Sequence, residues 1–139
     1  MTDLHPEIRA VLDRSAIQSY AQGHVHVGEV ITEIAGERAY VGIPATALLD
    51  AHARCGDDKV ARARLDVLVH LPGARTLDLT AETAGRVAGT VAFTGGDLAR
   101  SHAIWAALEH SAAYLTAEPQ ESTRLVADDR IIIVPAGDA

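Results

Sequence analysis

The sequence predicts a three-layer α/β/α sandwich with a mostly parallel central sheet, in one domain spanning residues 1–139. Short apolar runs alternate with segments of helical period in the order β α β α α β α α β (α) β. Such alternation argues for parallel strands covered by helices on both faces. The closing run Arg130–Val134, RIIIV, reads as a buried β-branched strand. Hydrophobic residues make up 48% of the chain and aromatics only 4%, so the core is aliphatic and large enough for one domain.

Residues 1–8 read as a ragged start. Ala10–Leu12 then leads into Asp13, Arg14 and Ser15, a buried strand with an acid at its C-terminal end. Asp13 or Ser15 also reads as the cap of a turn or helix. From His24 to Arg38, Val27, Val30, Ile31 and Ile34 fall at i, i+3, i+4 and i+7, which predicts a helix. Glu29, Glu33 and Glu37 repeat every four residues beside that stripe and read as a solvated helix edge. His24 and His26 have no acid or cysteine at metal-ligand spacing. Ala39–Ile43 is a strand, and Pro44 suits the first turn of a helix over Ala45–Arg54, where its missing N–H costs nothing. Leu48, Leu49 and His52 mark one side of that helix, and Gly56 stops it. Asp50 lies inside it, four residues before Arg54.

Asp57 or Asp58 caps the next helix, Lys59–His70, with a loose stripe of Val60, Arg64, Val67, Leu68 and Leu71; Pro72-Gly73 ends it. Arg54, Arg62, Arg64 and Arg75 form the densest basic region. Solvated helix faces explain it, with an RNA-binding rim as the alternative. Arg75–Leu79 is a third strand. Thr80 caps a helix through about Ala92, with Ala84, Val87, Ala88 and Val91 inward.

Gly95 to Pro119, GGDLARSHAIWAALEHSAAYLTAEP, holds the densest set of candidate site residues. On a helical wheel Leu98, Ser101, Trp105, Leu108 and Ala112 share one face, with Ile104 at its border. Asp97 sits at the helix start, where after two glycines it also reads as an ordinary N-cap. Ala113–Thr116 is a strand, and Glu118 follows it. Carboxylates at a helix start and just past a strand's C-terminal end converge in the crevice of an open α/β sheet. His102 falls on the side away from Asp97 and His110 on the outer face, an arrangement that does not suit a histidine-based nucleophilic site.

Charge narrows the function. A formal net charge of −7 excludes nucleic-acid binding by bulk attraction, so any such contact needs a local basic patch or bound cations. One cysteine, Cys55, allows no internal disulfide and fits a reducing cytoplasm. The first ten residues lack the apolar run of a signal peptide, and no apolar segment is long enough to span a bilayer. Arginine outnumbers lysine eleven to one, Lys59 being the only lysine, which reads as the codon bias of a GC-rich bacterial genome.

The element order, the Asp13-Arg14-Ser15-Ala16 run after strand one and the Leu115-Thr116-Ala117-Glu118-Pro119 run after strand four together resemble the PIN domain. Its commonest small bacterial form is the VapC-type toxin ribonuclease. The resemblance covers about Val11 to Val134. It implies a cytoplasmic, metal-dependent endoribonuclease of the toxin-antitoxin type, opposed by a small antitoxin protein, with RNA as substrate. It also implies a homodimer through apolar helix faces, for which Val27–Ile34 is one candidate surface.

In that family three or four carboxylates hold one or two divalent ions at the C-terminal edge of the sheet. Mg²⁺ or Mn²⁺ prefers oxygen ligands, and two such ions activate a water and stabilise the leaving oxygen of a phosphodiester. The resemblance assigns that role to Asp13, Asp50, Asp97 and Glu118, with Ser15 and Thr116 as flanking hydroxyls. The third acid position, counted back from Ser111, falls on Arg100 rather than on an acid, and Asp97 lies one turn earlier. A guanidinium there competes with the metal for carboxylates. The chain is therefore either a ribonuclease of weakened or lost activity, or a non-catalytic PIN-like module that binds a protein or RNA partner.

Overall fold

Five short strands form one all-parallel sheet: β1 (Ile8–Leu12), β2 (Tyr40–Pro44), β3 (Ala74–Leu77), β4 (Ala113–Thr116) and β5 (Ile131–Ile133), in the order β3-β2-β1-β4-β5. The structure, a computed structural model, describes residues 7–121 and 125–135. Among these residues six α-helices lie between the strands: α1 (Arg14–Ala21), α2 (His26–Gly36), α3 (Ala45–Cys55), α4 (Lys59–Leu68), α5 (Ala81–Val91) and α6 (Leu98–Glu109). Side chains alternate across the sheet. Leu12 and Leu115 pack into the core beneath α1 to α4, with Ile17, Ile31, Leu65 and Leu68. Val11 and Tyr114 pack into the opposite core, with Ala103 and Ile104 of α6. Both faces are thus buried, as parallel strands require.

The chain starts in the middle of the sheet and walks outward to β3. It then crosses back through α5 and α6 to place β4 on the other side of β1. This reversal leaves a crevice outside the C-terminal ends of β1 and β4, the place where open α/β sheets carry their sites. Among the described residues no helix is long and apolar enough to cross a membrane.

Several details depart from the sequence reading. Two helices, not one, separate β1 from β2. The inward residues of the extra helix α1 are largely small, Ser15, Ala16, Ser19 and Ala21, so it shows no apolar stripe. On α4 the inward residues are Ala61, Leu65 and Leu68, while Val60 and Val67 face out. On α3 Ala47 and Ala51 are buried and Leu49 is exposed. On α5 only Val87 is buried, because this helix packs chiefly on α6 rather than on the sheet. The expected face of α6 is also rotated. Ala99, Ala103, Ala106 and Ala107 are buried, whereas Leu98 and Leu108 are more than half exposed. Small residues let α6 lie close to α3, α5 and the sheet; Ile104 is buried with them, while Leu98 and Leu108 are left outside.

The run RIIIV forms a strand but not a buried one: among the described residues β5 has a single neighbour, and Ile133 is 66% exposed. Val27, Ile31 and Ile34 of α2 lie in the protein's own core, so the face expected to pair two copies is already occupied. The ragged start expected at residues 1–8 lies outside the described residues up to residue 6, and Ile8 already belongs to β1. The turn or short helix expected between Pro119 and Leu125 begins as a single 3-10 turn, Pro119–Glu121, and residues 122–124 lie outside the described ones.

His102 of α6 is 1% exposed, and its Nδ1 accepts from the Thr46 N–H (3.4 Å) and lies 3.1 Å from Thr46 Oγ1 at the start of α3. Burial lowers its pKa below the ordinary histidine value of 6.5. The stability this neutral imidazole contributes is present above that value and is lost as pH falls through the folded pKa.

Gly73 precedes β3 with φ +92°, and a Cβ there would sit 2.7 Å from Ala35 Cβ and 3.3 Å from the Ile31 carbonyl oxygen of α2. A left-handed backbone and a clash with a packed helix act together. Gly73→Ala is expected to cost on the order of 3 kcal/mol in urea unfolding. Gly36→Ala, with open space around its Cβ, should change stability by less than about 1 kcal/mol. Equal effects of the two substitutions would refute this account of Gly73.

Candidate functional site

At the crevice between β1 and β4, the chain leaves β1 at Leu12 and starts α1 immediately, with Asp13 as N-cap. Asp13 Oδ1 accepts from the Ala16 N–H at 2.9 Å and from Ser15 Oγ at 2.6 Å. Its Oδ2 accepts from the Tyr114 hydroxyl at 3.1 Å. Ser15 Oγ in turn accepts from the Ala117 N–H (2.8 Å) and lies 3.2 Å from Thr116 Oγ1, and Thr116 Oγ1 accepts from the Glu118 N–H (2.9 Å). The network sews the end of β1 to the end of β4 through three hydroxyls and one carboxylate. Asp13 is only 3% exposed. Burial pushes its carboxyl above the ordinary aspartate range, against the hydrogen bonds from Ser15, Thr116, Ala16 and Tyr114 that pull it down.

Asp97 caps α6, accepting from the Arg100 N–H at 2.9 Å through Oδ1. Its other oxygen lies 3.1 Å from Arg100 Nη1, so the same residue that caps the helix also pairs with a side chain one turn on. Arg100 Nη2 reaches across to Glu118 Oε1 at 3.3 Å. Arg14 Nη2 donates to that same oxygen at 2.7 Å, and Arg14 Nη1 donates to Gln18 Oε1 at 2.7 Å. Both guanidiniums are largely buried, with 14% and 12% of the side-chain surface exposed for Arg14 and Arg100. Asp13, Arg14, Ser15, Asp97, Arg100 and Glu118 line one small cavity of about 10 Å³, room for one water at most.

Of the four carboxylates read from the sequence, Asp13, Asp97 and Glu118 line this cavity and Asp50 does not. Asp50 projects from α3 and accepts from Arg54 Nε at 3.1 Å, the i,i+4 pair that its spacing also allowed. The basic region is not one surface. Arg64 donates to the Ala21 carbonyl, Arg75 stacks 4.4 Å over the Tyr40 ring, and Arg54 pairs with Asp50. Sequence reasoning missed Arg14 and Tyr114. Arg14 meets Glu118 104 residues away, and no local spacing announces such a contact.

The donor set does not fit a divalent ion. Among the described residues no three His, Cys, Asp or Glu side chains are grouped so as to hold one. Both oxygens of Asp13 already accept from protein donors, and Asp97 Oδ2 and Glu118 Oε1 meet guanidiniums. Away from the crevice, a second and wider opening of about 700 Å³ runs between the end of α1, α2 and α4. Tyr20, His24, Val25, Glu29, Glu33 and Arg64 are among the residues that line it.

No protein-family model matches the sequence, and no curated protein matches it significantly. Solved structures do match. PAE2754 from Pyrobaculum aerophilum superposes with a TM-score of 0.61 at 16% identity, over 90% of this chain and 83% of that one. VapBC2 from Rickettsia felis, bound to a DNA fragment from its promoter, superposes with a TM-score of 0.58 at 16% identity, over 94% of this chain and 100% of that one. The likeness shows that the fold is of the PIN/VapC type.

The raised pKa of Asp13 has a signed consequence. The stability it contributes is fully present below the unfolded value of 3.8 and is lost as pH rises through the folded value. Asp13→Asn keeps an oxygen for Ser15 and Ala16 and removes the buried charge. Relative to the unmodified protein, its urea midpoint is expected to be higher at pH 8 than at pH 4. A variant that loses stability most at pH 8 would show that the ionised carboxylate is favoured by its surroundings.

Proposed function

We propose that this chain is a non-catalytic PIN-like module, which works by binding a protein partner and not by metal-dependent cleavage of RNA. The observation that carries this reading is the Arg100 guanidinium between Asp97 and Glu118, seconded by Arg14 on Glu118. Clustered carboxylates need a cation between them to stay ionised together. Two arginines supply two charges, and the N-termini of α1 and α6 each add about half a charge, against three carboxylates. The balance is near zero, so a Mg²⁺ or Mn²⁺ ion would find no net negative charge to hold it. It would also have to displace largely buried guanidiniums from their partners.

The wide groove between α1, α2 and α4 is the surface best suited to the partner. Glu29 and Glu33 line it, Tyr20 and Leu71 add apolar area, and the chain is acidic overall. These features favour a cationic, partly apolar segment. The fold's likeness to the Rickettsia felis VapBC2 structure supports a small antitoxin-type protein as the source of that segment. Homodimerisation belongs to the same proposal. With the apolar face of α2 used in the core, the contact falls on apolar side chains left outside, among them Phe93, Leu98 and Leu108.

One observation favours the second reading, a Mg²⁺- or Mn²⁺-dependent ribonuclease: Asp13, Asp97 and Glu118 share a single cavity. Calorimetric Mn²⁺ titration and a single-stranded RNA cleavage assay separate the two. The unmodified protein is expected to bind Mn²⁺ no more tightly than about 1 mM and to leave RNA intact, while Arg100→Asp should bind Mn²⁺ at least about tenfold more tightly. Tight Mn²⁺ binding by the unmodified protein that is lost in Asp13→Asn, with metal-dependent cleavage, replaces this reading by the nuclease. Light scattering at high micromolar concentration is expected to give a dimer mass that falls to the monomer's in Phe93→Ser or Leu98→Ser.

A further inference from the structure

The wide groove between the end of α1, α2 and α4 carries opposite charges on two of its walls. Glu29 and Glu33 of α2 stand on one, four residues apart and so one above the other. Arg64 of α4 stands on another. Among the described residues no ion pair joins these walls, and none of the three side chains pairs with another charged group. Exposed charges elsewhere do meet: Arg9 with Glu7 and Glu37, Arg54 with Asp50, and Arg86 with Glu82. Here an opening of about 700 Å³ stands between them.

Arg64 is held in its place. Its Nη1 donates to the Ala21 carbonyl at the end of α1 at 3.1 Å. Its guanidinium lies against Gly23, where a Cβ would come within 3.2 Å of its Cζ. The carbonyl end of α1 offsets about half of its charge, and no carboxylate offsets the rest. Apolar groups complete the lining. The Tyr20 ring runs along Gly28 of α2, where a Cβ would sit 3.5 Å from its Cε1. Val25 is 64% exposed and Leu71 is half-buried.

Charges that face one groove without meeting are each solvated, and an occupant fits best when it answers each with its opposite. A uniformly basic segment would match Glu29 and Glu33 but would set a cation against Arg64. Cations that match two carboxylates one turn apart are themselves one turn apart, the spacing of a helix face.

We propose that the groove takes an amphipathic helical segment of mixed charge from a protein partner. Basic side chains one turn apart meet Glu29 and Glu33, apolar ones cover Tyr20, Val25 and Leu71, and a carboxylate meets Arg64. This rests on the reading of the groove as the partner's surface, and it adds that a cationic segment without an acid is a poorer fit.

Fluorescence anisotropy of labelled synthetic peptides, with the full chain at low ionic strength, tests it. Three helical peptides about 15 residues long share a leucine stripe. The mixed peptide carries two arginines one turn apart on one flank and glutamates on the other. The basic peptide has glutamine for each glutamate, and the acidic peptide has glutamine for each arginine. The mixed peptide is expected to bind at least about threefold more tightly than the basic one, and the acidic one not measurably. Glu29→Gln and Glu33→Gln should each weaken the mixed and the basic peptide. Arg64→Gln, with an unchanged circular dichroism spectrum, should remove the advantage of the mixed peptide without weakening the basic one. If Arg64→Gln does not fold, the comparison of the two peptides on the unmodified protein decides alone. A basic peptide that binds as tightly as the mixed one, or an advantage that survives Arg64→Gln, overturns the mixed-charge inference and leaves the groove a site for a cationic segment. Absence of binding by all three peptides, or binding indifferent to Glu29→Gln and Glu33→Gln, overturns the reading of the groove itself. A dimer mass in light scattering that falls to the monomer's in Arg64→Gln would seat a second copy there instead and overturn both.

Discussion

The buried carboxylate of Asp13 is the interaction on which the C-terminal edge of the sheet depends. It ends β1, caps α1 and accepts from Tyr114 of β4, so three elements meet on one side chain. Taking a carboxylate out of water is costly, and only a full set of donors makes it tolerable. Those donors come from the Ala16 amide and from the Ser15 and Tyr114 hydroxyls, and Ser15 passes the connection on to Ala117. An acid in this position is therefore structural whatever its chemistry, because removing its donors would leave a buried charge alone.

Around that hub the arginines set the electrostatics. A catalytic metal cluster leaves carboxylate oxygens facing an ion; here Asp97 Oδ2 and Glu118 Oε1 meet largely buried guanidiniums. Exposed ion pairs contribute little, but Arg14 and Arg100 are each more than four-fifths covered, so screening by solvent is reduced. A guanidinium is planar and permanently charged, and it bridges two carboxylates that come from different elements. Arg100 also ties α6 to the segment after β4.

The alternation of strand and helix, the identity of all five strands, the caps at Thr80 and Asp97 and the choice of Asp57 or Asp58 for α4 were readable from local sequence, because periodicity and capping are properties of a few consecutive residues. The acids after β1 and β4 were readable for the same reason. Helix faces were less so. On α6 the sequence places Leu98, Trp105 and Leu108 on the apolar side, yet alanines fill the interface because the helix is packed against other elements on more than one side. The exposure of β5 was hidden as well, since a run of isoleucines looks the same in the centre of a sheet and at its edge.

The sequence by itself determined a parallel α/β fold, because alternation follows from order and spacing along the chain; that Arg100 stands at an acid position is what the resemblance to the PIN domain implies. Only the tertiary structure decided that Asp50 stands apart while Arg14 stands inside the site. Asp50 has a partner four residues away and is held on the α3 surface, whereas Arg14 meets an oxygen 104 residues distant. A contact of that kind is made by the crossover that puts β4 beside β1, and no local pattern encodes it.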